Sequence, residues 1–576
     1  MKNCDFINNT ATRGGAVYWN GSNGNIEHSV FTNNSATNQA GALRWNGANG
    51  NLTGCTFIGN NANRFSGGVS WFGTNGIVTG CTFINNVAKT NSGGALRWDG
   101  ANGYLTACTF INNIAKEQEG GGISWVAANG TISNSTFINN NAKKGGGVSW
   151  NGAEGTITDS TFANNVASQN GGGVFWWGDN SNMSNCNFTN NQADNGDNIY
   201  WVWTVTEFLN KYHQINNYDY IRILNSDGTP SKTIVLNKKG ITIAGDGKVI
   251  FDAKGGNVHF EVTGDNVLIE GITFRNFNFT GYGGAIHWFG NNGILKNCNF
   301  LSNTVTNRGG AVTWDGANGI ITDSIFTRNN ATRGGAIWWN GTNGMLSNSI
   351  FTNNTADVNG GGVRWDGVNG IITSSTFTNN VAGNGGAVCW TLSAVNSTLN
   401  NSRFIGNKAV TSGGGILWDG ANGTLTSSNF TNNVANLNGG GVCLIGAKGI
   451  IISSTFNNNS APNGGAIFIT VNSINSIIKN STFNKNTATD RGSAIYWNVA
   501  GNIIGCDFIS SKSLKYNGIY ADKDLTINGG KGIVDIIIQG TLSGISIMVL
   551  NNETYYYPPN TNINFKANNK KSTLNV

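Results

Sequence analysis

The chain has 576 residues, of which 83 are glycine, only 4 are proline and 11% are charged, with a formal net charge of +6. The absence of a three-residue glycine period excludes a collagen, and the low charged fraction excludes a highly charged disordered polymer. Without a long Lys/Arg run this charge disfavours a nucleic-acid partner, and no apolar run approaches the roughly 18 residues of a membrane span.

A phenylalanine recurs every 25 to 27 residues along most of the chain. It marks 18 copies of one phrase, eight in residues 1–203 and ten in residues 272–510. A fixed period of this length predicts a solenoid, in which each coil packs only on its neighbours. The chain starts inside a copy, five residues before Phe6, and without a secretory signal. We therefore expect an N-terminally incomplete first array.

Each copy contains the phrase Gly-Gly-Ala/Gly, an aliphatic residue, a variable residue and usually Trp. This alternation predicts a strand whose aliphatic and Trp side chains point inward and whose middle residue points outward. A glycine turn of the form W-(N/D)-G-x-N-G follows, and then a second strand, L-T-x-C-x-F. Each coil is thus expected to consist of a strand, a glycine turn, a second strand, an Asn turn and a return segment.

An asparagine stands at the third position after the phenylalanine in 16 of the 18 copies. An amide stacked on its copy in the next coil can both donate and accept along the solenoid axis. The sequence therefore predicts a structural asparagine ladder at the bend after the second strand. Its members include Asn9, Asn34, Asn60, Asn86, Asn113, Asn303, Asn329, Asn354 and Asn380.

Coils of this size that stack identical side chains are typical of a parallel β-helix. The pairing of GGA(V/I) with FxxN, as in residues 334–337 and 351–354, resembles the repeat of the polymorphic outer-membrane protein and adhesin-like family of bacterial and archaeal surface proteins. The resemblance covers roughly residues 1–203 and 272–510. It implies an all-β, right-handed parallel β-helix of the pectin-lyase-like kind, located on the cell surface or outside the cell and often used for adhesion.

The segment between the two arrays has a different pattern. Residues 204–216, TVTEFLNKYHQIN, place apolar residues at helical spacing after a threonine, which predicts an amphipathic helix. An open β-helix end exposes strand edges, so such a helix suits a cap. We therefore expect two arrays, 1–203 and 204–528, the second with an N-terminal cap in 204–271. Residues 529–576 have longer β-runs and a Pro pair, and predict a β-rich tail that suits the start of an Ig-like domain.

Catalysis is not favoured by the regular copies, because the outward position beside the Trp never carries a carboxylate there. The recurring Asp of the glycine turn alternates with Asn, which indicates turn capping. The remaining catalytic candidates belong to the irregular coils: Asp246, Asp252, His259, Glu261 and Asp265. The four histidines do not cluster in sequence and no CxxC motif occurs, so no metal or other cofactor is predicted.

Basic and aromatic residues recur at positions that should face solvent. The predicted binding residues are Arg44, Arg97, Trp338, Arg364, Trp177 and Phe289, and Phe175 is expected to face solvent with them. Exposed aromatic residues of this kind indicate a binding surface. We therefore predict a rigid, non-enzymatic adhesin-like rod whose lateral face binds glycans or cell-surface proteins. A polysaccharide lyase or hydrolase is the first alternative, and a passive envelope spacer is the second.

Overall fold

The computed structural model describes residues 1–509, 512–513, 518–532, 536–538, 542–546, 562–567 and 570–575. In this part of the chain, short strands pair in parallel with the equivalent strands one coil away; the antiparallel exception pairs Asn562–Ala567 with Lys570–Asn575. This arrangement is a parallel β-helix and confirms the all-β fold class. The prediction of an Ig-like start at 529–576 falls largely outside the described residues and stays a prediction.

A regular coil contains four strands, which we name W, L, F and A strands after their characteristic residues. In one coil these are Ile337–Trp339, Met345–Ser347, Ile350–Thr352 and Thr355–Asn359. The W, L and F strands pair in register with their counterparts, so that Trp339, for example, lies opposite a Trp in each neighbouring coil, whereas several A-strand pairs contain a register shift. Identical residues therefore stack in columns along each array.

The strands of the first array are as follows. The W strands are Val17–Trp19, Leu43–Trp45, Val69–Trp71, Leu96–Trp98, Ile123–Trp125, Val148–Trp150, Val174–Trp176 and Ile199–Trp203. The L strands are Asn25–Glu27, Asn51–Thr53, Ile77–Thr79, Tyr104–Thr106, Thr131–Ser133, Thr156–Thr158 and Asn182–Ser184. The F strands are Asp5–Ile7, Val30–Thr32, Thr56–Ile58, Thr82–Ile84, Thr109–Ile111, Thr136–Ile138, Thr161–Ala163 and Asn187–Thr189. The A strands are Thr10–Arg13, Ser35–Gln39, Asn61–Ala62, Val87–Ala88, Ile114–Ala115, Asn141–Lys144 and Val166–Asn170.

The second array repeats the pattern. Its W strands and their sheet partners are Ile234–Leu236, Phe260–Val262, Ile286–Trp288, Val312–Trp314, Ile337–Trp339, Val363–Trp365, Val388–Trp390, Ile416–Trp418, Val442–Leu444, Ile467–Ile469, Ile495–Trp497, Ile519–Ala521 and Ile536–Ile538. The L strands are Ile294–Lys296, Ile320–Thr322, Met345–Ser347, Ile371–Thr373, Thr398–Asn400, Thr424–Thr426, Ile450–Ile452 and Ile477–Lys479. The F strands are Asn299–Leu301, Ile325–Thr327, Ile350–Thr352, Thr376–Thr378, Arg403–Ile405, Asn429–Thr431, Thr455–Asn457 and Thr482–Asn484. The A strands are Asn278–Phe279, Thr304–Val305, Asn330–Arg333, Thr355–Asn359, Val381–Asn384, Lys408–Ala409, Val434–Ala435, Ser460–Asn463, Thr487–Arg491 and Lys512–Ser513.

The irregular coils contain strands of other lengths. These are Tyr220–Ile223, Asp227–Gly228, Thr242–Asp252, Leu268–Arg275, Gly501–Ile509, Leu525–Gly532, Leu542–Ser546, Asn562–Ala567 and Lys570–Asn575.

The predicted second strand is divided into an L strand and an F strand, contrary to expectation. Leu346 and Phe351 are both fully buried although they are five residues apart, an odd number that strict alternation in one strand cannot place on one face. Asn348, between them, has a φ of 47° and turns the chain. This left-handed residue restores the inward direction for the F strand, and the return segment adds the unpredicted A strand.

The core consists of stacked inward columns. Trp339 and Trp365 lie 4.5 Å apart between ring centroids and nearly parallel, and Phe326 and Phe351 lie 4.7 Å apart. Gly344 closes the glycine turn against the indole, because a Cβ there would lie 2.2 Å from Nε1 of Trp339. The turn glycine is therefore required by close packing.

The chain forms two compact units, Met1–Ser226 with Lys238–Val249, and Asp227–Asn237 with Ile250–Val576. The predicted helix is present as Val205–Lys211, continued by a 3-10 turn at Tyr212–Gln214, and belongs to the first unit. Thr204 and Glu207 form a capping box, and Phe208 is fully buried. The proposed division into two domains at residue 203 stays a prediction.

Candidate functional site

In each array, the middle residues of the W strands form a column on the outer side of that array's W sheet, between two flanks. One flank consists of the residues five positions before the column, and Thr313 donates to the carbonyl of its flank residue Arg308. The other flank consists of the residues two positions after the column, where Asp315 accepts from His287. Each column therefore lies at the floor of a groove, which we call the outward groove of that array.

The groove explains why several residues expected in solvent are buried. Trp338 is 6% exposed and Phe175 is 3% exposed, so the prediction that both face solvent is wrong. The flanking residues cover the column, as Arg308 does for the Trp338 ring. By contrast, Trp177 and Phe289 are 46% and 43% exposed, because they follow the W strands rather than lie in their middle.

The arginines of the column are mostly neutralised within the groove. Arg97 makes a two-pronged ion pair with Asp99, with Nε–Oδ2 and Nη2–Oδ1 distances of 2.8 Å each. Nε of Arg364 donates to Asp366 at 3.0 Å, and both side chains are largely buried. Arg44 instead donates to Asn46 and Gln39 and stacks on the ring of Phe72 at 4.3 Å. The predicted basic face thus carries less free charge than its arginine count indicates.

An aromatic and cationic cluster occupies the outward groove of the second unit. The Arg308 guanidinium lies 4.1 Å from the Trp338 ring centroid and 5.6 Å from that of Tyr282, and the two rings stack at 6.0 Å. The Trp338 indole N–H donates to Oδ2 of Asp366 at 2.5 Å. Beside this cluster an open depression of about 560 Å³ is lined by Arg308, Trp338, Asn340, Arg364, Asp366, Thr391, Leu392 and Ser393. The sequence analysis did not identify Arg308 and Tyr282 as site residues. Both lie five positions before the middle residue of a W strand, and this shared position was the sequence feature that could have identified them.

Two histidine–carboxylate pairs lie in the same unit. His259 contacts Glu261 through Nε2 at 3.3 Å, and His287 contacts Asp315 through Nε2 at 2.7 Å; the imidazole centroids are 6.4 Å apart. Glu261 and His287 are in-register partners, so they share the outward side. Burial lowers the pKa of His259. Burial alone would raise the pKa of Asp315, but hydrogen bonds from His287 and Asn340 outweigh it and the pKa is lowered. The arrangement suits proton transfer between paired groups.

The other three catalytic candidates each contact a different partner and do not contact one another. Asp246 pairs with Arg222 at 3.0 Å, Asp252 pairs with Arg275 at 2.8 Å, and Asp265 accepts from the backbone of residue 291. Of the five candidates, only His259 and Glu261 contact each other. No group of three or more His, Cys, Asp or Glu among the described residues is arranged to hold a metal ion.

The asparagine column lies inside the coil at the bend after the F strand. Asn354 is fully buried; its Nδ2 donates to Oδ1 of Asn380 and to the carbonyl of Phe326, each at 2.9 Å. Its Oδ1 accepts from the backbone N–H and the Nδ2 of Asn329, also at 2.9 Å. All four hydrogen-bonding positions of the amide are therefore used. The same amide-to-amide contact recurs at Asn9, Asn34, Asn60, Asn86, Asn113, Asn303, Asn329 and Asn380.

A second asparagine ladder, which the sequence reasoning missed, runs along the exposed glycine turns. Asn343 has a φ of 54° and donates to Asn318 at 3.1 Å, and Asn369 donates to Asn343 at 2.9 Å. The positive φ suits the Asn of the N-G step, which was the available signal. This ladder stabilises the glycine turn that follows the W strand.

Parts of the chain are similar to known protein families. Residues 258–429 match the right-handed β-helix region, and residues 453–470 and 480–496 match the Chlamydia polymorphic membrane protein repeat. No curated protein is significantly similar.

Similar solved structures include a mannuronic acid specific polysaccharide family 6 lyase from human gut microbiota, with 11% identity and a TM-score of 0.36 over 57% of this chain and 87% of the lyase. They also include PfbA, a surface adhesin of Streptococcus pneumoniae, with 13% identity and a TM-score of 0.24 over 73% of this chain and 90% of the adhesin. Likenesses this weak carry no functional argument.

No described helix is both long and apolar enough to cross a membrane. The family matches confirm the resemblance seen in the GGA and FxxN motifs within residues 258–429, 453–470 and 480–496, and the described coils form a right-handed parallel β-helix.

Proposed function

We propose that the chain is a cell-surface or secreted adhesin-like protein that binds glycans or surface proteins through the outward groove of its second unit. The observation that carries the proposal is the cluster of Tyr282, Arg308 and Trp338 beside an open depression. The polymorphic membrane protein repeats support a surface location.

The inward columns cannot provide specificity, because they repeat from coil to coil and are buried. The groove differs from coil to coil, reading His287, Thr313, Trp338 and Arg364 in succession. Exposed aromatic residues at its margin, Tyr282 at 39% and Phe289 at 43%, offer apolar contact area at the edge of a polar surface. This combination is typical of binding surfaces.

The experiment compares two serine variants of the full chain in binding to a glycan panel and to intact cells. Tyr282→Ser with Phe289→Ser should weaken binding strongly and leave the melting temperature nearly unchanged, because exposed substitutions alter stability by about 0.5 kcal/mol or less. The matched control is Val410→Ser with Leu437→Ser, which also removes two exposed apolar side chains of the second unit. Equal binding by both variants and the parent chain would refute the proposal.

A polysaccharide lyase or hydrolase is the second candidate, and the paired His259–Glu261 and His287–Asp315 contacts favour it. If this candidate is correct, the full chain releases new reducing or unsaturated ends from a polysaccharide, and Glu261→Gln and His287→Asn each remove that release. A chain that neither binds nor cleaves would instead be a passive spacer.

A further inference from the structure

We infer that Arg308 and Arg333 make the outward groove a site for an acidic glycan, one that carries carboxylate or sulfate groups. This inference rests on the proposed function, because it names the ligand class of the same surface.

The two carboxylates beside the cluster, Asp315 and Asp366, already have partners. Asp366 accepts from Arg364, from an indole N–H and from the hydroxyl of Thr391, and Asp315 accepts from an imidazole and an amide. By contrast, no described carboxylate oxygen lies within 4.0 Å of the guanidinium of Arg308 or Arg333. The flank of the groove therefore holds two cations without a close counterion.

These two arginines are neighbours. Tyr282, Arg308 and Arg333 are in-register partners of successive coils, which places their backbones about 4.8 Å apart on one side of the chain. Two adjacent like charges repel each other, and an anion between them removes that repulsion. Nε of Arg308 is buried without a hydrogen-bond partner, and stacking on Trp338 holds its guanidinium flat. A planar guanidinium held in this way loses little freedom when it binds a carboxylate or sulfate through two hydrogen bonds.

The surroundings of the arginine pair favour a sugar as the carrier of the anion. The Tyr282 ring is 39% exposed beside Arg308, so a sugar ring can pack its C–H face on the tyrosine while its acidic group reaches the guanidinium. Asn340 and Ser393 line the adjacent depression and add an amide and a hydroxyl for sugar hydroxyls. The depression is open, which suits a segment of a chain. A nucleic acid fits less well, because it requires a longer run of cations than this groove provides.

The test measures binding of the full chain to polygalacturonate and chondroitin sulfate, with dextran as the neutral glycan and single-stranded DNA as the competing polyanion. R308Q/R333Q should weaken binding to the acidic glycans by about tenfold or more, the loss expected for charge-assisted hydrogen bonds. The matched control R328Q/R403Q removes the same charge from two exposed arginines of the same unit and should change binding by less than about twofold. R308K/R333K keeps the charge but lacks the planar fork, and an intermediate affinity is expected.

Three results would each overturn the inference. The first is an equal loss of acidic-glycan affinity in the two glutamine variants, and the second is parental affinity in R308Q/R333Q or R308K/R333K. The third is tighter binding to DNA than to the acidic glycans. If R308Q/R333Q unfolds early in melting experiments, the lysine variant decides the result. A different result would overturn this inference alone. In that case the parent chain does not bind acidic glycans, while R308Q/R333Q still binds neutral glycans or cells as well as the parent chain does. Failure of the parent chain to bind any glycan or surface would refute the proposed function itself.

Discussion

Replacement of one ladder amide should destabilise the coil around it far more than its small volume suggests. In Asn354→Ala, the backbone N–H of Asn329 and one of its amide N–H groups lose their acceptor, while Asn380 and the carbonyl of Phe326 each lose a donor. Asn354 is fully buried, so water does not replace these contacts without local opening. Each orphaned buried donor costs about 1–3 kcal/mol, and the two donors of Asn329 together predict a loss of about 2–6 kcal/mol.

Hydrogen–deuterium exchange is the suitable assay, because a solenoid opens locally and a single unfolding midpoint averages over its coils. Asn354→Ala should accelerate exchange in the peptides that contain residues 325–335 and 350–360, in proportion to that loss. Thr352→Ala is the control, because this side chain points outward two residues earlier in the same coil. Exchange in Asn354→Ala that matches the control, equivalent to less than about 0.5 kcal/mol, would refute the view that the ladder stabilises the bend.

Three further predictions concern the columns and one buried carboxyl group. Phe351→Ala should cost about 3–5 kcal/mol in unfolding experiments and Thr352→Ala less than about 1, and equal small effects would contradict the inward assignment of Phe351. Gly344→Ala places a methyl group 2.2 Å from a stacked indole and should lower the free energy of unfolding by about 1–3 kcal/mol. Gly21→Ala is the control and should lower it less, because the new Cβ would lie 4.0 Å from its nearest atom. Similar melting of both variants would count against close packing at the turn. Burial raises the pKa of Asp219 to about 8, above the unfolded value of about 3.9. Because the unfolded state loses this proton at a lower pH than the folded state does, the stability of the fold should decrease as the pH rises between these two values. Asp219→Asn should flatten this slope in melting curves recorded across that pH range, and an unchanged slope would show that another group causes it.

Much of the fold could be predicted from residue columns. The recurring aliphatic residue, Trp and Phe indicated the inward faces, and the repeated Asn indicated the bend where Asn354 lies. The number of strands could not be obtained by alternation alone, since Asn348 changes the direction of the chain between Leu346 and Phe351. The odd spacing of those two buried residues was the signal for this bend.

The candidate site was less accessible to sequence reasoning. A strand position that alternates away from the core was expected in solvent, yet Trp338 is covered by Arg308, which comes from the preceding coil in sequence. Likewise, Arg364 resembles a free cation in sequence but pairs with Asp366, whereas Arg308 lacks a close counterion. His259 and His287 are separated by a full coil in sequence, and only stacking brings their rings to 6.4 Å.

The sequence by itself determined the repeat length, the inward columns and the parallel β-helix, because each of these follows from local periodicity repeated in 18 copies. Only the tertiary structure decided which outward residues are covered and which charges are neutralised. The reason is physical: burial and ion pairing on the outer side depend on the flanking turns of the same and neighbouring coils. A residue such as Arg308 therefore acquires its role from the Trp338 and Tyr282 rings that stacking places beside it.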